Sequence, residues 1–198
     1  MSAMRFILAS NNPKKLKELR AILGAQGHEV ASLKECGVQS DPEETGETFE
    51  QNALIKARSA CRAAGLPAVA DDSGLMVDAL DGAPGVRSAR YCPGSDADRV
   101  AFLLKNMESV PDEKRTARFV SAVACVFPDG RELVTRGECE GVILRQTRGE
   151  GGFGYDPVFF APREGMTFAE LPADRKNAIS HRAQALFAFA KRLKEEIR

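Results

Sequence analysis

Arg5–Gly27, RFILASNNPKKLKELRAILGAQG, decides the fold. The apolar run RFILAS is stopped by Asn11-Asn12-Pro13, and Leu16, Leu19, Ile22 and Leu23 then recur at helical spacing before Gly24 and Gly27. That reads as strand, tight loop, helix. Working outward, EVASL from Glu29 is a second short strand, and the polar stretch KECGVQSDPEETGE from Lys34 is a loop. Thr48 with Gln51 forms a capping box that opens the alanine-rich helix FEQNALIKARSACRAAG, stopped by Gly65, whose small residues permit close packing on a sheet. LPAVA from Leu66 is the next strand. It is expected to end on Asp71 and Asp72 at a Ser-Gly turn, and DGAPGVRSARYCPGSD from Asp81 is expected to be an ordered surface loop rather than a packed element.

Beyond it, DADRVAFLLKNMESV predicts a helix with Val100, Leu103, Leu104 and Met107 on one side. ARFVSAVACVF and RELVTRGECEGVIL predict two strands joined through Asp129-Gly130, a strong hairpin signal. GEGGFGYDPVFF is a glycine-rich loop leading into a short strand, and SHRAQALFAFAKRLKEEIR is a terminal amphipathic helix, apolar at Ala185, Leu186, Phe189 and Leu193. No repeat, low-complexity tract or linker interrupts the pattern. The expectation is one mixed α/β domain over residues 1–198, with an antiparallel hairpin extension.

Composition narrows the function. The 28 basic residues balance the 28 acidic ones, so no net positive charge favours nucleic acid or a membrane surface. Wholly apolar runs fall far short of the roughly 18–20 residues that span a bilayer, and no signal-type apolar stretch opens the chain, so a soluble, unexported protein is expected. The five cysteines are odd in number and never in a C-x-x-C pair, which reads as reduced thiols of a cytosolic protein.

Four segments carry candidate chemistry. In SNNPKK, Asn12 suits a helix N-cap and Pro13 the first helical position, an ordinary helix start. Lys14 and Lys15, however, sit where the helix dipole is already positive, so either they are simply solvated or the segment, with Ser10 and Asn11, cradles a phosphate. Asp71-Asp72-Ser73 can form a plain Asx turn, or, with Glu43 and Glu44 from another loop, supply the carboxylates that Mg²⁺ takes alongside phosphate oxygens. GGFGYDP is either a tight turn around a core Phe or a turn exposing Phe153 for a planar base. In KNAISHR, His181 is a cap or surface residue, or joins Arg182 as a donor to a carbonyl edge.

As an ordered set, SNNPKK, EETG, ADDSGL, GAPGVRSARY, GGFGYDPVF, AEL and KNAISHR resemble the noncanonical purine nucleoside triphosphate pyrophosphatases, the inosine/xanthosine triphosphatase family, over about residues 5–195. The resemblance implies an elongated mixed sheet with helices on both faces and a central nucleotide-binding cleft. It implies a homodimer that hydrolyses ITP, dITP and XTP to the monophosphate and pyrophosphate with Mg²⁺, clearing deaminated purines; the cytoplasmic location and the expectation of neither nucleic acid nor membrane as partner come from the composition above. Carried over by position, Ser10, Asn11, Asn12, Pro13, Lys14 and Lys15 match the phosphate-binding loop. Asp72 matches the proton acceptor and metal ligand, Ser73 a substrate contact, and Glu43 or Glu44 a second metal ligand. Phe153, Gly154, Tyr155 and Asp156 match the base-binding turn, and Lys176, His181 and Arg182 the remaining substrate contacts. One departure is Asn11, where relatives commonly carry glycine; asparagine is the best non-glycine substitute if a positive φ is needed.

Overall fold

Phe6, Ile7 and Leu8 are all buried, without the alternation of a half-exposed strand, because their strand lies between two parallel neighbours in a part of the sheet with both faces covered. In the computed structural model, which describes residues 3–196, this strand is β1 (Arg5–Leu8). It pairs in parallel with β2 (Glu29–Ser32), Phe6 opposite Val30, and with β3 (Ala68–Val77), Ile7 opposite Ala68. Parallel neighbours need crossovers, and two helices provide them. Helix α1 (Pro13–Gly24) starts at an Asn12 cap and buries Leu19 and Leu23. Helix α2 (Phe49–Ala64) starts at the Thr48/Gln51 capping box, ends on left-handed Gly65 (φ 64°) and buries Phe49, Asn52 and a stripe of alanines. Residues 1, 2, 197 and 198 of the expected domain lie outside the described residues.

The remaining elements are α3 (Asp96–Asn106), β4 (Thr116–Val126), β5 (Glu132–Ile143), β6 (Phe159–Ala161), β7 (Met166–Thr167), α4 (Ala173–Ile179) and α5 (His181–Glu196). The seven strands among the described residues form one mixed sheet in the order β2-β1-β3-β4-β5-β6-β7. The expected hairpin joins β4 to β5, closed by Phe127 N donating to Arg131 O at 2.9 Å, with Gly130 at φ 91°. Strands β6 and β7 continue antiparallel, Ile143 opposite Phe159 and Phe160 opposite Thr167. Among the described residues no helix is long and apolar enough to cross a membrane.

Chain contacts define two compact units. The first contains the described residues up to Asp72, Ser121–Gly137 and the residues from Gln184 onward; its core packs Phe6, Leu23, Phe127, Phe189 and Leu193. The second contains Ser73–Val120 and Glu138–Ala183, around Leu75, Leu103, Phe119, Phe159 and Phe168. Each fully buried Leu or Phe contributes ~1.5–3 kcal/mol of hydrophobic stabilisation. Buried Arg115 also ties the second unit, donating to Ile143 O, Met107 O and Leu144 O at 2.7–3.0 Å.

Two expectations need correction. Strand β3 does not end at the acidic pair but runs through it to Val77. Successive strand residues point to opposite faces, so Asp71 and Asp72 do not confront each other and each meets a lysine of a different helix, Lys15 of α1 and Lys56 of α2. The segment from Asp81 is not merely a surface loop either. It contains a 3₁₀ helix over Gly85–Arg90, and buried Ser88 accepts Leu75 N at 2.8 Å while donating to Gly85 O at 2.7 Å. A side chain with both partners supplied locally can be packed without leaving a polar atom unsatisfied.

Candidate active site

In the first unit, β1 delivers the chain to Ser10–Asn12 and straight into α1. Asn12 Oδ1 accepts Lys14 N at 2.9 Å and Lys15 N at 3.4 Å, Asn12 N donates to Ser10 Oγ at 3.2 Å, and Leu16 N donates to Asn12 O at 3.1 Å. The first-turn amides are therefore engaged by the cap, so an incoming anion meets side chains first. Lys14 is exposed, whereas Lys15 Nζ lies 2.8 Å from Oδ2 of buried Asp71. Asn11 needs no left-handed backbone, since Asp81 is the positive-φ residue other than glycine among those described.

The second carboxylate group lies on the α2 side. Lys56 Nζ is 3.0 Å from Asp72 Oδ1 and 3.0 Å from Glu44 Oε1. Asn52 Nδ2 donates to Asp72 Oδ2 at 3.4 Å, and Asn52 Oδ1 accepts Gly46 N at 2.8 Å. Asn52 and Lys56 are four residues apart, hence on one face of α2. The approach segment alternates outward and inward, leaving Glu43 exposed and turning Glu44 toward Lys56. A cavity of about 120 Å³ is lined by Ser10, Asn11, Asp41, Glu44 and Lys56, bringing the loop after β1 to the acidic group. Burial pushes Asp72 above the usual carboxylate range, with Lys56 opposing it and Glu44 adding to it. Burial works against the Lys56 ammonium too, but Asp72 and Glu44 together outweigh it and hold Lys56 above its ordinary value.

Magnesium is the metal that the resemblance implies. Among the described residues no group of three or more His, Cys, Asp or Glu side chains is placed to hold an ion. The donor chemistry nevertheless fits: two hard carboxylates converge on one cationic point, and Mg²⁺ commonly takes one or two carboxylates, with substrate phosphates and water completing its shell.

In the second unit, the turn Gly152–Asp156 presents Phe153 with 75% of its surface exposed. Asp156 is buried, and its Oδ2 accepts Phe153 N at 2.8 Å and pairs with Lys176 Nζ of α4. Burial pushes the Asp156 carboxyl up, against the pull of Lys176. Gly152 is required here: at φ 75°, an added Cβ would lie 2.1 Å from Asp156 Oδ2. The Lys176 ammonium stands 4.6 Å from the Phe153 ring centre and 5.6 Å from that of Phe168. Tyr155 is buried, not presented, and its hydroxyl donates to Ser88 O at 2.8 Å. His181 opens α5 stacked on Phe119, ring centres 5.0 Å apart, with half-buried Arg182 next to it.

Of the expected residues, the structure thus groups Ser10, Asn11 and Glu44 in one place and Phe153, Asp156 and Lys176 in another. Ser73 follows Asp72 in β3 and is exposed. Sequence reasoning missed Asn52 and Lys56, although two polar residues within the inward stripe of an alanine-rich helix were a legible signal. It also missed Phe119 and Phe168. Burial raises the thiol pKa values of Cys61, Cys125 and Cys139, the last to about 11, which opposes a nucleophilic role.

The fold is that of solved HAM1 structures. The HAM1 protein of Coxiella burnetii superimposes with a TM-score of 0.91 at 43% identity, covering 97% of this chain and 99% of that one. The Staphylococcus aureus Ham1 protein gives 0.91 at 37%, with the same coverage. The chain belongs to the Ham1 family, whose sequence profile matches residues 6–192. It is 52% identical over 193 residues to the dITP/XTP pyrophosphatase of Symbiobacterium thermophilum, spanning 98% of this chain and 96% of that protein.

Proposed function

We propose that this chain hydrolyses dITP, ITP and XTP to the nucleoside monophosphate and pyrophosphate, removing deaminated purine nucleotides from the pool. The observation that carries the chemistry is the convergence of Asp72 and Glu44 on Lys56, beside the loop after β1. The relatives named dITP/XTP pyrophosphatase, about half identical along nearly the whole length, support the substrate class. One pyrophosphatase domain then occupies the whole chain.

In this reading Lys15 and Lys14, with Ser10 and Asn11, hold the triphosphate through side chains, and Asp71 keeps Lys15 in place. Asp72 accepts a proton from water; its raised pKa makes it a stronger base than an exposed aspartate. The water oxygen bonds to the α-phosphorus, the bond from that phosphorus to the α–β bridging oxygen breaks, and pyrophosphate departs. Asp72 and Glu44, rather than exposed Glu43, would hold Mg²⁺, which neutralises phosphate charge when bound. Lys56 already supplies positive charge to the same two carboxylates.

Phe153 offers a ring face to the purine, and Lys176, His181 and Arg182 supply donors for a 6-oxygen. An adenine amine would face donors with no acceptor, at ~1–3 kcal/mol per opposed contact, or roughly ten- to hundred-fold discrimination. Two further parts belong to the proposal: a homodimer, carried by the family resemblance, and a cytoplasmic place of action, supported by five cysteines with no C-x-x-C pair. The decisive experiment is a pyrophosphate-release assay over a full nucleotide panel, with and without Mg²⁺, repeated for Asp72→Asn. We expect dITP, ITP and XTP to lead the panel and Asp72→Asn to lose at least about a hundred-fold in kcat. ITP and XTP turnover no better than that of TTP or UTP would overturn the assignment.

A further inference from the structure

The Gly152–Asp156 turn is held by two carboxylates, one of which belongs to none of the motifs above. Asp156 Oδ2 accepts Phe153 N from within the turn. The next amide, Gly154 N, donates at 2.7 Å to Asp96 Oδ2, 58 residues earlier in the chain and in the first turn of α3. Asp96 is fixed in turn: Arg99 Nη2 donates to Asp96 Oδ1 at 2.6 Å, and Arg99 Nη1 to Gly94 O at 2.8 Å. The hydrogen bonds from Arg99 and Gly154 N hold the Asp96 carboxyl below the usual range, so it stays an anionic acceptor. Such charge-assisted bonds are about twice as strong as neutral ones.

The peptide planes on both sides of the Phe153 Cα are therefore pinned, one by Asp156 and one by Asp96, and together they set the direction of the Cα–Cβ bond. Phe153 is largely exposed, so packing holds it weakly, and Gly152 and Gly154 on either side (φ 75° and 60°) make an unpinned turn unusually free. We propose that Asp96 is a positioning residue for base recognition: it fixes the peptide following Phe153 and thereby the orientation in which that ring meets the purine. The inference rests on the reading above, in which Phe153 stacks on the base.

The test compares kcat and KM for ITP in wild type, Asp96→Ala, Asp96→Asn and Asp98→Ala. Asp98 is the control, because it closes the capping box at the same helix end, accepting Ser95 N and Ser95 Oγ at 2.7 Å, without touching the turn. Asp96→Ala is expected to raise KM about tenfold with kcat within about twofold, the pattern of lost binding rather than lost chemistry. Asp96→Asn retains an acceptor oxygen and should recover most of that loss, while inhibition by inorganic triphosphate, which lacks a base, should match wild type in every variant. Should Asp96→Ala not fold, Arg99→Gln, which releases Asp96 but keeps it, carries the test with a rise of about threefold. An unchanged KM, or an equal rise in Asp98→Ala, would overturn the proposal. Failure of the wild type to hydrolyse ITP would instead refute the underlying substrate reading.

Discussion

Replacing Lys56 by methionine removes the positive group that pairs with both Asp72 and Glu44 and keeps a side chain of similar length. Each carboxylate oxygen is 3.0 Å from Nζ, so the two are no more than about 6 Å apart, where unit charges repel by ~0.7 kcal/mol in bulk water and ~3 kcal/mol at an effective dielectric of 20. Side-chain exposures of 18% for Lys56, 14% for Asp72 and 27% for Glu44 place the site toward the upper figure. The attraction lost from the two partly buried pairs adds to this, and the desolvation cost of the Lys56 ammonium, which methionine does not incur, offsets much of the sum; we expect a net destabilisation of ~2–3 kcal/mol at neutral pH, or about 4–12 °C in Tm for a chain of this length. The sign of the pH dependence follows from Asp72, whose folded pKa already lies above its ordinary value and rises further without Lys56. The deficit should be absent well below pH ~4, where the carboxyl is protonated in both states, and should appear as pH rises through the folded pKa. Thermal melts read this directly, and Mg²⁺ gives the sharper arm: millimolar MgCl₂ should recover more Tm in Lys56→Met than it adds to wild type, since the ion takes over the vacated charge. An unchanged Tm, or an identical Mg²⁺ response in the two proteins, would refute the reasoning.

Two further changes probe other parts of the fold. Gly152→Ala forces a Cβ to within 2.1 Å of Asp156 Oδ2 at a positive φ, so we expect ~1–3 kcal/mol of local strain, expressed as at least a tenfold higher KM for ITP with inorganic triphosphate inhibition retained. Steady-state kinetics decide this, and a wild-type KM would sink it. His28 is buried against the edge of Phe6, with Nδ1 accepting Met4 N at 3.3 Å, and burial lowers its pKa from 6.5. The unfolded chain then binds the proton first, so stability is complete above pH 6.5 and falls as pH drops through the folded value; His28→Asn, which keeps an acceptor but cannot titrate, should flatten urea midpoints between about pH 7 and 5. An unaltered slope would count against a role for His28.

Much of the first unit was legible because its signals are local. The Asn12 cap, the Thr48/Gln51 capping box and the Asp129-Gly130 turn involve partners two to four residues apart, and each forms as read. The buried face of α5, Ala185, Leu186, Phe189 and Leu193, follows equally from helical spacing. The acidic pair was misread for the opposite reason. Locally, Asp71-Asp72-Ser73-Gly74 has the composition of a turn, and only the two helices flanking β3 make a continuous strand tolerable, by bringing a lysine to each face.

By itself, then, the sequence determined the alternation of strand and helix, the caps and hairpin, and, through its ordered motifs, the Ham1 resemblance. Tertiary structure decided which charges meet: Lys56 with Asp72 and Glu44, Lys15 with Asp71, and Asp96 with the amide of Gly154. Periodicity and capping are encoded in neighbouring residues and survive in any register. The meeting of a side chain with a partner 16 or 58 positions away depends on how sheet and helices pack, and no local pattern records it.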